Sequence, residues 1–245
     1  MRVGAAALAG GIFGALGTMC FFLAFGTDYW LVARDNCGSY IWPTIVEKDA
    51  NGTEFVNAVT VPPAPRTLHH EGFFWRCVFH VEPAADAVLA TLFTNQPKSK
   101  VCVHGYLFPL PVAVGRVPHP IYDATAVFRG FWTVFIILAL VSALTGSFLL
   151  VCGVPFISHK LYKLGGAFFI IAACLFLFVL LLFVLWMEVV DVKRYILQER
   201  GETCSDAQVS VLYGLSFMVA AAGVPLELVS GMIFMLVGRV LLANK

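Results

Sequence analysis

The chain has 245 residues, of which 60% are apolar and only 13% are charged, and its mean hydropathy is +0.85. A water-soluble globular protein has a charged fraction of about one quarter, so this composition excludes that class and indicates a membrane protein. The net charge of +1 gives no reason to expect a nucleic-acid ligand.

Four stretches are almost free of charge, and the segments between them hold most of the Asp, Glu, Lys and Arg residues. Because a membrane-spanning helix needs about 20 apolar residues, these stretches predict four spans in a single tetraspan domain, 1–245. We expect the spans at 4–26, 130–153, 164–189 and 209–238. The connecting segments are two outer loops, 27–129 and 190–208, a cytoplasmic loop, 154–163, and a cytoplasmic tail, 239–245.

Basic residues predict which side of the membrane each segment faces. The expected cytoplasmic pieces contain cations and no acidic residue: Arg2, Lys160, Lys163, Arg239 and Lys245. Short loops rich in Lys and Arg stay in the cytoplasm. We therefore expect both termini to be cytoplasmic.

Cysteines and a sequon lie on the opposite side of this predicted topology. Cys37, Cys77, Cys102 and Cys204 fall in the two outer loops, and Asn51-Gly52-Thr53 is an N-glycosylation sequon in the first of them. An even number of cysteines in an oxidising compartment predicts two disulfides, and four cysteines allow three pairings. The cysteines and the sequon agree with the charge bias on orientation.

The long first outer loop is expected to fold. Its β-rich runs are separated by Asn, Gly and Pro, a pattern typical of a small antiparallel sheet. The predicted strands lie at 29–32, 53–61, 73–81, 88–93 and 101–107. In the second outer loop, we expect the third helix to continue past 190 before Gly201 ends it.

His69, His70 and Glu71 stand together in the first outer loop and invite comparison with metal ligands. Adjacent residues on a strand point to opposite faces, and no His-x-x-x-His accompanies them. The usual catalytic signatures are also missing from the sequence. We therefore expect no metal, no cofactor, no small-molecule substrate and no enzymatic activity.

Glu227 interrupts the fourth predicted span. A carboxylate near the centre of a bilayer costs about 2.5 to 3.5 kcal/mol on insertion scales. Two explanations are open: a protonated Glu hydrogen-bonded inside the bundle beside Pro225, or a contact with a partner helix. An ion or proton relay needs several ionisable residues within the membrane, and Glu227 is a single one, so we do not expect a transporter.

Small residues give the first span a surface on which another helix can approach closely. They are Gly10, Gly11, Gly14 and Gly17, and they include the Gly-x-x-x-Gly spacing. The partner is either a second copy, which would make a homo-oligomer, or the fourth span of the same chain. The small residues of that span are Gly223, Ser230 and Gly231.

A set of residues distributed along the chain carries a family resemblance. It comprises Trp30 beyond the first span, Gly72-Phe73-Phe74-Trp75-Arg76-Cys77, Cys102, and Arg129 ahead of the second span. This set resembles the superfamily of claudins, peripheral myelin proteins and calcium-channel gamma subunits. Longer strings, among them His69-His70-Glu71-Gly72, Thr94-Asn95-Gln96-Pro97 and Val211-Leu212-Tyr213-Gly214, are similar to the transmembrane protein 182 family. The spacing departs from claudins in having one residue between Trp75 and Cys77.

The resemblance implies a claudin-like fold: a membrane all-α four-helix bundle that carries an extracellular antiparallel β-sheet. It implies a disulfide between Cys77 and Cys102, which leaves Cys37 and Cys204 as a second candidate pair. It also implies a plasma-membrane protein of muscle that restrains myogenic differentiation and myoblast fusion, with integrin β-1 as partner besides the lipid bilayer. An auxiliary subunit of a channel or receptor is the alternative, and a claudin-type barrier protein is a weaker one.

Overall fold

The computed structural model describes residues 2–35, 47–48, 54–55, 66–73, 75–81, 101–104, 120–199 and 209–243. The helices in these ranges are α1 (Arg2–Gly26), α2 (Pro120–Phe156), α3 (His159–Val189), α4 (Val192–Glu199) and α5 (Leu215–Ala243). The strands are β1 (Leu31–Asp35), β2 (Glu47–Lys48), β3 (Glu54–Phe55), β4 (Arg66–Glu71), β5 (Trp75–Val81), β6 (Val101–His104) and β7 (Val209–Tyr213).

Four helices in the described part of the chain are long and apolar enough to cross a membrane. Their candidate spans are Val3–Gly26, Val127–Phe156, His159–Val189 and Leu215–Ala243. A helix satisfies every backbone hydrogen bond within one segment, which is what the interior of a bilayer requires. The prediction of four spans is confirmed, and the protein is a multi-pass membrane protein.

The four long helices pack as a bundle in which α5 lies between α1 and α3, and α3 lies between α5 and α2. Small residues set these contacts. A Cβ added to Gly166 of α3 would lie 2.7 Å from the carbonyl oxygen of Gly231 on α5. A Cβ on Gly165 would lie 2.6 Å from a carbon of Leu150 on α2. Such close backbone approach is how helices associate without a hydrophobic driving force.

A five-stranded antiparallel sheet stands at one end of the bundle, in the order β6-β5-β4-β1-β7. Strands β2 and β3 form a separate two-stranded pair. Since side chains alternate along a strand, residues paired in register share a face. Leu31 of β1 is paired with Glu71 of β4 and Tyr213 of β7, and this face meets the helices.

Several predicted boundaries were wrong. The fourth span does not begin at 209, because Val209–Tyr213 is strand β7, paired with β1, and α5 begins only at Leu215. This run is rich in β-branched residues and a short apolar run can belong to either kind of element. The third helix does not continue past 190. Val190 is extended, and α4 is a separate helix.

The first outer loop also differs in detail from the prediction. Strand β4 (Arg66–Glu71) was not predicted, β1 begins two residues later than expected, and Phe73 precedes β5 instead of opening it. The predicted strand at 88–93 lies outside the described residues. At the other end of the bundle, only Ile157 and Ser158 separate α2 from α3 within the expected loop 154–163.

Candidate functional site

The junction between the sheet and the helices brings together most of the sequence-predicted motif residues. It begins where α1 ends at Gly26. The Thr27 hydroxyl lies 2.6 Å from the Leu23 carbonyl and donates to it, and it also lies 2.7 Å from the Ser216 hydroxyl. The Tyr29 backbone N–H donates to that same Ser216 oxygen at 3.0 Å. Ser216, which is buried, therefore ties the end of α1 to the beginning of α5.

Two glycines allow the backbone segments at the junction to touch. A Cβ on Gly72 would lie 2.5 Å from the Asp28 Cα. A Cβ on Gly214 would overlap the carbonyl oxygen of Tyr29, and the Gly214 N–H donates to the Trp30 carbonyl at 2.9 Å. Only glycine fits such close approach. The turns after β4 and β7 are thus fixed directly on the segment that leaves α1.

Trp30 lies at the centre of an aromatic cluster under the sheet. Its ring is 2% exposed and makes an edge contact with Phe73, with ring centroids 4.7 Å apart. Its indole N–H donates to the Ala24 carbonyl at 2.7 Å. Phe183 of α3 packs against both Trp30 and Trp132, each at a centroid distance of 5.4 Å. Such aromatic packing anchors the sheet on three helices.

Arg129 and Glu71 form a buried ion pair that links α2 to β4. The two side chains belong to residues that are 6% and 5% exposed. Arg76 of β5 donates to the same Glu71 oxygen at 3.3 Å. His69 approaches the second Glu71 oxygen at 3.9 Å. One carboxylate is therefore shared by two guanidinium groups, an arrangement whose loss leaves buried charge behind.

His70 belongs to the opposite face of β4 and contacts the backbone. Its ring stacks on Tyr29 at a centroid distance of 4.4 Å, and its Nδ1 lies 3.0 Å from the Asp28 carbonyl. Burial raises the pKa of the Tyr29 phenol, and the Asp28 carboxylate raises it further. Across the described residues, no group of three His, Cys, Asp or Glu side chains could hold a metal ion.

A cavity of about 20 Å³ lies inside the junction. Polar groups of Glu71 and Arg129 and the rings of Trp30, Trp132 and Trp186 contribute to its lining. No described residue accepts a hydrogen bond from the Trp132 indole N–H, which is buried. A volume of this size accommodates about one water molecule. The arrangement can hold the sheet in place.

Cys77 and Cys102 are joined by a disulfide, with the sulfur atoms 2.03 Å apart. The two residues face each other across β5 and β6, so the bond fixes the edge strand to the sheet. This is the pair that the family resemblance implies. Trp75, two residues before Cys77, is 40% exposed. The other predicted site residues of the outer loops, Asn51, Phe74, Cys37 and Cys204, lie outside the described residues.

Glu227 faces the interior of the bundle and is 0% exposed. The Thr18 hydroxyl of α1 donates to one of its oxygens at 2.6 Å. A Cβ on Gly17 would lie 2.7 Å from the Glu227 Cγ, so glycine makes room for the carboxyl group. Of the two explanations left open by the sequence, the contact inside the bundle is the one that this geometry favours.

Glycines of α1 also contact another helix of the same chain. A Cβ on Gly14 would lie 2.7 Å from the Ser230 hydroxyl, and that hydroxyl donates to the Gly10 carbonyl at 2.7 Å. Gly11, by contrast, has nothing within 4 Å of a Cβ position. The face that carries the Gly-x-x-x-Gly spacing is therefore occupied by α5 of the same chain.

Sequence reasoning missed two residues and one pairing at the junction. Thr27 and Ser216 did not stand out as sites, and Glu71 and Arg129, each noted separately, were not expected to pair. Thr27 and Ser216 are ordinary near helix ends, where small hydroxyl residues are common. The pairing of Glu71, at the end of β4, with Arg129 of α2 left no local signal in the sequence. Their 58-residue separation concealed the pairing.

Known proteins are similar to this chain in sequence. The family described as PMP-22/EMP/MP20/Claudin tight junction matches residues 15–236. Transmembrane protein 182 of Mus musculus is 41% identical over 244 residues, covering 98% of this chain and 97% of the relative. The Gallus gallus protein of that name is 40% identical over 250 residues, covering both chains fully. The Homo sapiens protein is 40% identical over 243 residues and 97% of each chain. The chain therefore belongs to the transmembrane protein 182 family, within the wider PMP-22/EMP/MP20/claudin family.

Proposed function

We propose that this protein is a non-enzymatic interaction protein of the plasma membrane, with both termini in the cytoplasm and the sheet outside the cell. The sheet binds the ectodomain of an adhesion receptor. Through that receptor the protein restrains myogenic differentiation and myoblast fusion. Integrin β-1 is the partner that the family resemblance implies.

The observation that carries this proposal is the rigid attachment of the sheet to the bundle. Glu71 of β4 pairs with Arg129 of α2, Gly72 rests on the backbone of Asp28, and the disulfide at Cys77 fixes the edge strand. A binding surface that is already ordered loses less entropy when its partner docks.

Crosslinking at the surface of differentiating muscle cells tests the partner. The full chain is purified in mild detergent after crosslinking, and mass spectrometry identifies the linked proteins and peptides. We expect integrin β-1 peptides linked to the segment 27–129. A channel linked in constant proportion through the helical faces would replace this proposal with the auxiliary-subunit function.

A variant pair separates the contribution of the sheet from that of the helices. Cys77→Ala combined with Cys102→Ala removes the disulfide and should abolish partner capture while surface level is maintained. Cys152→Ala combined with Cys174→Ala removes two free thiols within the spans and should leave capture unchanged. Undiminished capture by the Cys77/Cys102 variant, at normal surface level, would refute the role of the sheet.

A further inference from the structure

The end of the bundle opposite the sheet carries a cluster of cations. Its members are His159, Lys160 and Lys163 of α3, and Arg239 of α5; we call them the basic end cluster. Lys160 and Arg239 are exposed, and His159 and Lys163 are partly exposed. All four lie at the ends of candidate spans, where a membrane protein meets lipid headgroups.

The packing of α3 against α5 brings together the two helix ends that carry the cluster. A Cβ on Gly238 would lie 2.7 Å from the Cγ of Lys163 and 3.0 Å from the carbonyl oxygen of His159. The first turn of α3 thus rests directly on the last turns of α5. Arg239, the residue after Gly238, lies beside this contact. The Lys163 stem packs against protein while its ammonium group can reach the headgroup region, as long basic side chains do at interfaces.

No carboxylate lies close in sequence to this cluster along α2, α3 or α5. The sequence has no Asp or Glu in 124–187 or in 228–245. Within the described residues, no salt bridge involves Lys160, Lys163 or Arg239. Among the described residues, this charge has no carboxylate partner, and it lies at the ends of candidate spans, where anionic headgroups can approach it.

Two further features fit an anionic headgroup with acyl chains. Ser158, the N-cap of α3, makes no side-chain hydrogen bond to the first turn, so the N–H groups of that turn remain open to an anion. Phe156 and Ile157, at the end of α2, are 76% and 66% exposed and provide an adjoining apolar surface. A soluble anion would use the first feature, whereas only a lipid would use both.

We propose that the basic end cluster binds the headgroup of an anionic phospholipid, with the exposed apolar residues at the end of α2 contacting its acyl chains. The site lies at the end of the bundle opposite the sheet. Each cation near such a headgroup contributes about fivefold to affinity. Removing two of them should therefore weaken binding about 30-fold.

The test uses the purified full chain in mild detergent, with native mass spectrometry as the readout. The probe is dioctanoyl phosphatidylinositol 4,5-bisphosphate, compared with dioctanoyl phosphatidylcholine and with free inositol 1,4,5-trisphosphate. We expect a bound bisphosphate lipid and much weaker retention of the other two. Equal retention of phosphatidylcholine would overturn the proposal. Free inositol trisphosphate binding as tightly as the lipid would assign the site to a soluble anion and would overturn it as well.

Matched variants locate the site. Lys163→Gln combined with Arg239→Gln should weaken lipid binding about 30-fold, since it removes two cations of the cluster. Lys193→Gln combined with Arg194→Gln removes two exposed cations at the sheet end and should leave binding unchanged. Lys163→Arg combined with Arg239→Lys keeps the charge and should retain binding, which separates lost charge from misfolding. Equal loss in both Gln pairs would show unspecific attraction and overturn the proposal.

Discussion

Replacing Glu71 with Gln should be among the most damaging single changes at the junction. The carboxylate is 5% exposed and serves Arg129 and Arg76 together. Gln keeps the shape of the side chain but leaves both guanidinium groups without this anion. Removing one member of a buried ion pair costs about 3–5 kcal/mol. We expect Glu71→Gln to lose stability in that range.

The matched change on the other side of the pair should cost less. Arg129→Leu removes the cation from α2, but Glu71 keeps Arg76 at 3.3 Å. We therefore expect a loss of about 1–3 kcal/mol, the range for a buried group that loses one partner. The double variant should lose less than the sum of the two single losses, by about 0.5–3 kcal/mol, because the pair couples them.

Tryptophan fluorescence reports the unfolding directly. Trp30, Trp132 and Trp186 lie at the junction, so their emission should change when the sheet separates from the helices. Purified variants are unfolded in mixed micelles with increasing sodium dodecyl sulfate. A loss below about 1 kcal/mol for Glu71→Gln, or a larger loss for Arg129→Leu than for Glu71→Gln, would refute the assignment of a shared carboxylate.

Three further changes test the bundle and the strand that enters it. Gly14→Ala should lower the free energy of unfolding by about 1–3 kcal/mol, because the new Cβ would lie 2.5 Å from a ring carbon of α3. Gly11→Ala, on the open side of the same helix, should be neutral or stabilising. Equal effects of the two changes in an unfolding titration would contradict the packing. Thr18→Val should lower the free energy of unfolding by about 1–3 kcal/mol, because Glu227 loses its hydroxyl donor. Adding Glu227→Leu should restore most of that loss. No recovery in the double variant would refute the coupling between the two residues. Gly214→Ala should prevent correct assembly, since its Cβ overlaps a backbone carbonyl, and normal surface biotinylation of this variant would contradict the observed turn.

The spans could be predicted because the bilayer imposes one strong rule on the sequence. Charge-free stretches of sufficient length become helices, since the interior of the membrane leaves no other partner for the backbone. The sheet was only partly predictable. Strand β4 ends in His69, His70 and Glu71, and a polar run of this kind does not predict a buried strand. The end of this strand is buried where Glu71 forms an ion pair with Arg129 of α2, and no local sequence pattern indicates a contact between residues so far apart.

Strand β7 could not be predicted for a different reason, the shortness of its sequence pattern. Val209–Tyr213 pairs with β1, which is about 180 residues away in sequence, and only Gly214 separates its apolar run from α5. Periodicity over five residues cannot distinguish a strand from the first turn of a helix. Gly214 was the useful signal, because its position between the run and α5 marks the turn. The reason that it must be glycine, the Tyr29 backbone, becomes visible only in three dimensions.

Two charge clusters, one at each end of the bundle, differ in burial, and this difference determines how each can be perturbed. At the sheet end, Arg129 and Glu71 are buried and paired, so their charge stabilises the attachment of the sheet and is not available to a ligand. At the other end, Lys160 and Arg239 are exposed along helices without a nearby acidic residue in sequence. Added salt should therefore weaken lipid binding at the exposed cluster while leaving the buried pair nearly unaffected, because screening acts mainly on charges in water. The two clusters can thus be perturbed separately: salt and surface charge act on the exposed cluster, whereas the buried pair responds to replacement of its own side chains.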